Sequence, residues 1–523
     1  MLLDLKCDVA MEPVPSDSIE PPFRSPGASQ SLFGQLGDAV PVPDDLYDRI
    51  VQQVSELSQS MDTLRHAAEE EEPLAAPFSD WGDEHSLTVE PPPVPASLAD
   101  AGLTSQQVSQ LVLKFIYLNG SSSGYDLAGQ LRLPFTVIED LLLFLKADRQ
   151  LDVSQGETVG PLSYRYQLTE QGRARARDAF EECRYVGPAP VALSDYLQQC
   201  RRQSVARVTC SPETLQAALG GLVTPNELIQ KVGPAICSGQ AIFLWGAPGN
   251  GKTSLAKGIG RFLNRDGGDI YVPYALAVDS QIITIFDPTV HHAVDSSELS
   301  PSREDSGCSM PSAEFDRRWR RVRRPVVICG GELTLDMLDL KYHQVSRFYT
   351  APLHVKANGG VFLLDDFGRQ LVQPRELLNR WTLPLEEKVD YLTLSTGKSF
   401  AVPFESLVIF STNLAPEELV DDAFLRRIRH KIHMAPPNAE QYLQIFRRCC
   451  EEREIAFNPE PVKELFARRY SPQKLPRASD PRDLLDTLVA TCRFNRVGPV
   501  LDEQGLTDAF LKCLCDVGSG TAR

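Results

Sequence analysis

Residues 241–254 read AIFLWGAPGNGKTS, and the chain is best read outward from them. Ala241–Trp245 is an uncharged run suited to a strand buried on both faces. Gly246, Ala247, Pro248, Gly249, Asn250, Gly251, Lys252 and Thr253 then form a glycine-rich loop, and a helix opens at Ser254. The spacing has a chemical reason. Gly249 and Gly251 let the backbone curl so that successive amides face a polyphosphate, and the helix N-terminus adds favourable potential. Lys252 then reaches the β- and γ-phosphates, and the Thr253 hydroxyl is a ligand for Mg2+.

A second segment supplies acidic chemistry. Val361–Asp366 reads VFLLDD, four apolar residues of a buried strand ending in two carboxylates. With a phosphate loop upstream, Asp365 is expected to hold Mg2+ through water, and Asp366 to polarise an attacking water. Leu407–Leu414, LVIFSTNL, is a further apolar strand closing on Thr412 and Asn413.

The remainder divides at composition shifts. The chain has 523 residues and a formal charge of −17. Residues 1–100 hold 20 acidic and 4 basic residues, or −16, which leaves 50 against 49 for residues 101–523. With 13 of the 39 prolines and the Glu69–Glu72 run, this first region reads as a disordered acidic tail. Within it, Tyr47, Ile50, Val54, Leu57, Met61 and Leu64 form an a/d seam, a short amphipathic helix near 46–66 that either docks on a partner or has none.

Residues 101–187 predict three helices, then two short strands (Leu151–Val153 and Tyr164–Leu168), then a basic helix from Thr169. That order resembles a winged helix, and YRYQLTEQGRARA resembles its wing and following helix. The third helix carries Glu139 and Asp140, and the region sums to 9 basic against 10 acidic residues, which favours docking protein over reading DNA. Residues 188–220 read as a linker, 221–435 as an α/β nucleotide-binding domain, and 436–523 as a helical lid with helix starts at Asn438, Asn458, Asp480 and Asp502. The twelve cysteines include no CxxC pair, so neither a zinc site nor a disulfide framework is signalled and a cytoplasmic setting fits. No apolar run is long enough to span a bilayer.

Together these motifs resemble those of the AAA+ ATPases over about residues 220–500, most closely in general character bacterial members described as having chaperone activity. The resemblance implies a parallel sheet with helices on both faces plus a C-terminal helical lid, binding ATP and Mg2+. It implies that Asn413 orients the attacking water as sensor 1. It implies an arginine finger at Arg427, or at Arg426, completing the site of a neighbouring subunit in a homo-oligomeric ring, with a hexamer expected. It also implies that Arg482, in Asp480–Leu484 (DPRDL), touches the γ-phosphate from the lid. The expected function is ATP hydrolysis coupled to remodelling a protein client. A DNA-directed loader or regulator, or a nucleotide-gated scaffold with slow turnover, are the other readings.

Two features depart from the family pattern. Asp366 stands where many relatives have Glu, and Lys252 lies 113 residues before Asp365. The excess falls around 291–324, which includes a run with six arginines in residues 317–324 beside Trp319. That run is either a solvated face or a grip for nucleic acid, an acidic partner or the acidic tail.

Overall fold

The computed structural model describes residues 89–154, 161–294, 315–419, 425–472 and 474–513. The amphipathic segment near 46–66 lies outside the described residues.

The N-terminal domain comprises α1 (Ser105–Asn119), β1 (Ser121–Ser123), α2 (Gly124–Leu131), α3 (Phe135–Ala147), β2 (Leu151–Ser154), β3 (Arg165–Leu168) and α4 (Glu170–Glu182). Local chemistry sets its boundaries. Thr104 and Ser123 form capping boxes with Gln107 and Asp126, and Thr169 caps α4 through the Gly172 amide. The three strands form an antiparallel sheet in the order β1-β3-β2. Leu111, Leu127, Ile138, Leu142 and Tyr166 fill the core beneath it.

The expected linker is folded. It holds β4 (Val191–Ala192), α5 (Leu193–Arg202) and α6 (Pro212–Ala218). The polar QQCRRQ stretch hid its apolar face. Tyr196, Cys200, Val205, Val208 and Leu215 are all buried, and that burial holds the segment on the body. The tail boundary moves too. Leu98 packs on the N-terminal core and Val89 on another, while Gln199 donates to the Glu90 carbonyl at 3.0 Å. Residues 89–100 therefore belong to the packed body.

The nucleotide-binding region opens with α7 (Asn226–Cys237), β5 (Ile242–Trp245) and α8 (Lys252–Asp266). A β-rich stretch follows: β6 (Asp269–Pro273), β7 (Ala275–Val278), β8 (Gln281–Thr284), β9 (Trp319–Arg323), β10 (Val326–Cys329), β11 (Lys341–His343), β12 (Phe348–Thr350) and the short helix α9 (Leu353–Lys356). Then come β13 (Val361–Leu364), α10 (Pro374–Glu387), β14 (Val389–Thr393), β15 (Ser399–Pro403), β16 (Leu407–Thr412), α11 (Pro416–Leu419) and β17 (His430–His433).

The central sheet is parallel throughout, in the order β10-β13-β16-β5-β17. Its strands are apolar without alternation because both faces are covered. Leu255, Ile259 and Phe262 of α8 pack with α7 on one face, and Trp381 of α10 packs with Phe243, Phe362 and Phe410 on the other. This is an α/β P-loop module. All five strands end on one edge, at Cys329, Leu364, Thr412, Trp245 and His433, and the expected site lies there.

The extra length before Asp365 supplies β7, β8, β11 and β12 to a second, mixed sheet, β11-β12-β8-β7-β4, whose last strand comes from residues 191–192, and forms the antiparallel ribbon β6-β9. The 317–324 arginines divide: Arg321 and Arg323 are exposed, as on a solvated face, whereas Arg318, Arg320 and Arg324 are buried. Arg318 is 2% exposed, paired with Asp316 at 2.8 Å, and donates to the carbonyls of Ala101 (2.8 Å) and Pro190 (3.0 Å). Arg324 is equally buried and donates to the carbonyls of Gly267, Gln203 and Gly359. Of the rest, Arg320 is buried as well, and exposed Arg321 pairs with Asp269. Arg318 and Arg324 thus satisfy backbone carbonyls of Ala101, Pro190, Gly267, Gln203 and Gly359, a task suited to the multi-donor guanidinium fork.

The C-terminal region is helical: α12 (Ala439–Glu451), α13 (Pro459–Arg469), α14 (Asp480–Asn495) and α15 (Glu503–Cys513). Asn438 and Asn458 cap the first two of these helices. Tyr442, Phe446, Leu465, Leu484, Leu485 and Phe510 form a core of their own. Among the described residues no helix is long and apolar enough to cross a membrane.

Candidate nucleotide site

The loop between β5 and α8 takes the backbone shape expected of it. Gly246, Gly249 and Gly251 have φ of 142°, 82° and 83°. A Cβ at Gly246 would come within 2.5 Å of the Met434 carbonyl oxygen, so glycine is required there on both conformational and steric grounds. Gly251 ends the loop as the residue before α8, whose first turn carries Lys252, Thr253 and Ser254.

Lys252 is buried, and its ammonium is fully engaged. It donates to the carbonyls of Gly246 (2.9 Å) and Ala247 (3.0 Å) and to Asn413 Oδ1 (2.7 Å). Burial lowers its pKa, and Asp366 and Asp365 oppose that shift. The Thr253 hydroxyl lies 3.0 Å from each oxygen of Asp365. A hydroxyl and a carboxylate joined in this way form the oxygen pair that a hard divalent ion takes, with water and phosphate oxygens completing an octahedron. The residues therefore fit a Mg2+-polyphosphate: backbone amides and Lys252 for the phosphates, Thr253 and Asp365 for the ion.

Asp366 and Asn413 complete the group. Because β16 lies between β13 and β5, Asn413 at its end sits between the loop and the acidic pair. Its amide donates to Asp366 Oδ1 at 3.2 Å while its oxygen accepts from Lys252, so one side chain links the lysine to the second carboxylate. Asp366 is exposed at φ 50°, a conformation that non-glycine residues seldom adopt outside functional turns. Its amide donates to Asp365 Oδ1 at 3.2 Å.

A domain family described as a domain of unknown function (DUF8689) matches residues 438–511, the helical region. No curated protein matches the chain. Among solved structures, NtrX from Brucella abortus is similar at 13% identity over 60% of this chain and 57% of its own, with a TM-score of 0.32. The chain thus spans little more than half of that protein. A RuvB variant from Thermotoga maritima is 13% identical over 59% of this chain and 72% of its own, with a TM-score of 0.29. Domain III of the Thermotoga maritima replication initiation protein DnaA is 13% identical over 60% and 97%, with a TM-score of 0.30. Likenesses this distant carry no chemistry, which comes from the geometry of the loop itself.

The three arginines stand apart from the Lys252 cluster. Arg427 is ion-paired with Glu386 of α10 at 2.7 Å, while neighbouring Arg426 is exposed. Arg482 is exposed in the first turn of α14, and its charge is felt by Asp483 and by Cys449 of α12. What touches the loop from the helical region is the segment before α14, which the sequence did not single out. The Ser479 amide donates to the Gly249 carbonyl at 2.9 Å, and the Ala478 amide to Asn250 Oδ1 at 3.4 Å. On the opposite flank, Leu222 comes within 3.9 Å of a Cβ placed at Gly251. Neither contact has a sequence signature, because the first is made by backbone and the second by an ordinary leucine.

Proposed function

We propose that the chain is an AAA+ ATPase that binds ATP with Mg2+ and hydrolyses it to remodel a macromolecular client. The observation that carries this reading is the joined group Lys252–Asn413–Asp366 beside Thr253–Asp365, with a sensor strand lying between the two strands that bear the loop and the acids. In that reading the loop amides and Lys252 bind the β- and γ-phosphates, and Thr253 and Asp365 hold Mg2+. Asp366 and Asn413 orient the attacking water. Mg2+ neutralises the phosphate charge. The protein's own contribution is position, since phosphoryl transfer gains most from alignment and electrostatics.

The client is a protein, and the N-terminal domain is its docking module of winged-helix type. Supporting this, the exposed residues of α3 are Thr136, Asp140, Leu143, Phe144, Lys146 and Ala147, one acid, one base and two large apolar side chains, with no excess of positive charge for phosphate. Assembly into a homo-oligomeric ring, a hexamer by analogy, would let Arg426 or Arg427 reach a neighbour's γ-phosphate; Arg427 must first leave Glu386. The setting is cytoplasmic and the action chaperone-like.

The test is phosphate release by the full chain with Mg2+-ATP. Wild type should turn over, and Asp366→Asn should bind ATP but release no phosphate. Undiminished turnover by Asp366→Asn would move the base elsewhere.

A further inference from the structure

Two half-buried cysteines meet where the segment before α6 passes the end of α7. Cys237 is the last residue of α7, and Cys210 lies two residues ahead of α6. Packing brings the two segments together. Val205 and Val208 share a buried cluster with Val232 and Ile236 of α7, and Cys210 packs against that cluster. A Cβ at Gly239 would come within 2.8 Å of the Ala206 amide nitrogen, so the two backbones touch within a few residues of the pair.

The two thiols are chemically unequal. The Cys210 thiol, hydrogen-bonded to the Cys237 sulfur, brings the Cys237 pKa down to about 6; burial opposes that shift and the Cys210 amide assists it. The same bond, with burial and the charge of Asp266, pushes Cys210 up. A helix C-terminus disfavours negative charge, so these donors outweigh the dipole of α7. Cys200, Cys329, Cys449 and Cys450, by contrast, are all raised by burial. Those four fit the ordinary use of a cysteine as a small buried hydrophobe. A half-buried thiolate with a protonated thiol against it fits a redox pair instead.

We propose that Cys210 and Cys237 are an oxidation site, joined by peroxide into a disulfide that ties the segment before α6 to the end of α7. The Cys237 thiolate attacks one oxygen of hydrogen peroxide and the O–O bond breaks. Hydroxide leaves, taking a proton from solvent, and the sulfur becomes a sulfenic acid. The Cys210 sulfur then attacks the Cys237 sulfur, its proton passes to the departing oxygen, and water leaves as the S–S bond forms. Two electrons pass from the two sulfurs to the peroxide, and a dithiol returns them by exchange. In a reducing compartment the pair rests as thiols, so the bond marks exposure to oxidant. It closes a loop over residues 211–236, which carries Leu222, the residue against Gly251, and so stiffens one flank of the phosphate loop.

The test treats the full chain with hydrogen peroxide, blocks the remaining thiols with N-ethylmaleimide and maps tryptic peptides by mass. Trypsin separates the two cysteines, into peptides 208–231 and 232–252. These should appear joined after oxidation and separate after dithiothreitol. Cys210→Ala should lose the joined species and carry a sulfenic acid at Cys237 that dimedone traps. Alkylation of Cys237 by iodoacetamide should also need higher pH in that variant, its midpoint moving from about 6 toward about 8.5. Cys237→Ala should leave Cys210 a thiol. Oxidised wild type should melt above the reduced chain, because a cross-link restricts the unfolded state, and neither variant should show that shift. The inference is wrong if both cysteines stay thiols, if wild type halts at the sulfenic acid, or if Cys237 pairs with a different cysteine. A cross-linked chain that melts lower would overturn it too, since the native spacing would then not accommodate the bond.

Discussion

Removing Asn413 should make the protein bind ADP more tightly. An ammonium has three N–H donors, and those of Lys252 are taken by Gly246, Ala247 and Asn413. A phosphate oxygen can reach the lysine only by displacing one of them. Two are backbone carbonyls of a loop whose glycines fix its shape, so the side-chain oxygen of Asn413, at 2.7 Å, is the acceptor that must give way. A hydrogen bond to a charged group contributes about 1.5–3 kcal/mol net. The low end of that range, returned to the ligand in Asn413→Ala, tightens binding by about 10-fold. ADP is the right probe because it lacks the γ-phosphate that Asn413 would itself contact. Turnover should move the opposite way, since Asp366 loses its 3.2 Å partner; a fall of about 100-fold fits the loss of an aligned base. Calorimetric titration with ADP, with and without Mg2+, measures the first effect, and phosphate release the second. Unchanged or weaker ADP binding by Asn413→Ala would refute the idea that Asn413 restrains the lysine.

Other outcomes follow from the packing. Trp381 is fully buried between Phe362, Phe404 and Phe410, so Trp381→Ala should destabilise the α/β domain by about 3–5 kcal/mol in chemical denaturation. Asp316→Ala strands the buried guanidinium of Arg318 and should cost about 3–5 kcal/mol, more than changing both residues to apolar ones of similar volume. A chain beginning at Val89 should melt at a higher temperature than one beginning at Ala101, which lacks the Glu90 and Pro92 contacts to Gln199 and Asp316. His291 is buried and neutral, accepting from the Asp287 amide and donating to the Lys356 carbonyl, and burial lowers its pKa to about 4. The unfolded chain takes up this proton near pH 6.5 and the folded chain only near pH 4. Stability should therefore fall as pH drops through that window, and His291→Gln should flatten the slope.

The shape of the loop and the placement of the acids were legible where residue type and backbone shape are linked. Glycines at positive φ, a lysine after them and an acid pair closing an apolar strand have few other uses, and Gly246–Thr253 with Asp365 lie together as expected. The helix starts at Asn438 and Asn458 were legible for the same reason, since a cap satisfies amides that nothing else in the segment can reach. What was missed depends on tertiary contact. The 317–324 arginines carry a surface composition, yet Arg318, Arg320 and Arg324 are buried, Arg318 and Arg324 on carbonyls that distant chain segments leave to satisfy. Residues 188–220 look like a linker by their prolines and polar runs, but Val191, Tyr196 and Val205 turn inward onto strands from distant sequence. The hold of Ser479 on Gly249 is a backbone hydrogen bond between residues 230 positions apart, and no local pattern signals it.

Titration of the full chain with Mg2+-ATP, beside Lys252→Ala, tests the central claim most directly. The geometry predicts one ATP bound per wild-type chain, with heat lost when Mg2+ is withheld or Thr253 and Asp365 are both changed to alanine, and no measurable binding by Lys252→Ala. Wild-type affinity in Lys252→Ala would contradict the assignment of this loop as the phosphate site, and with it the reading of the protein as a nucleotide-driven machine.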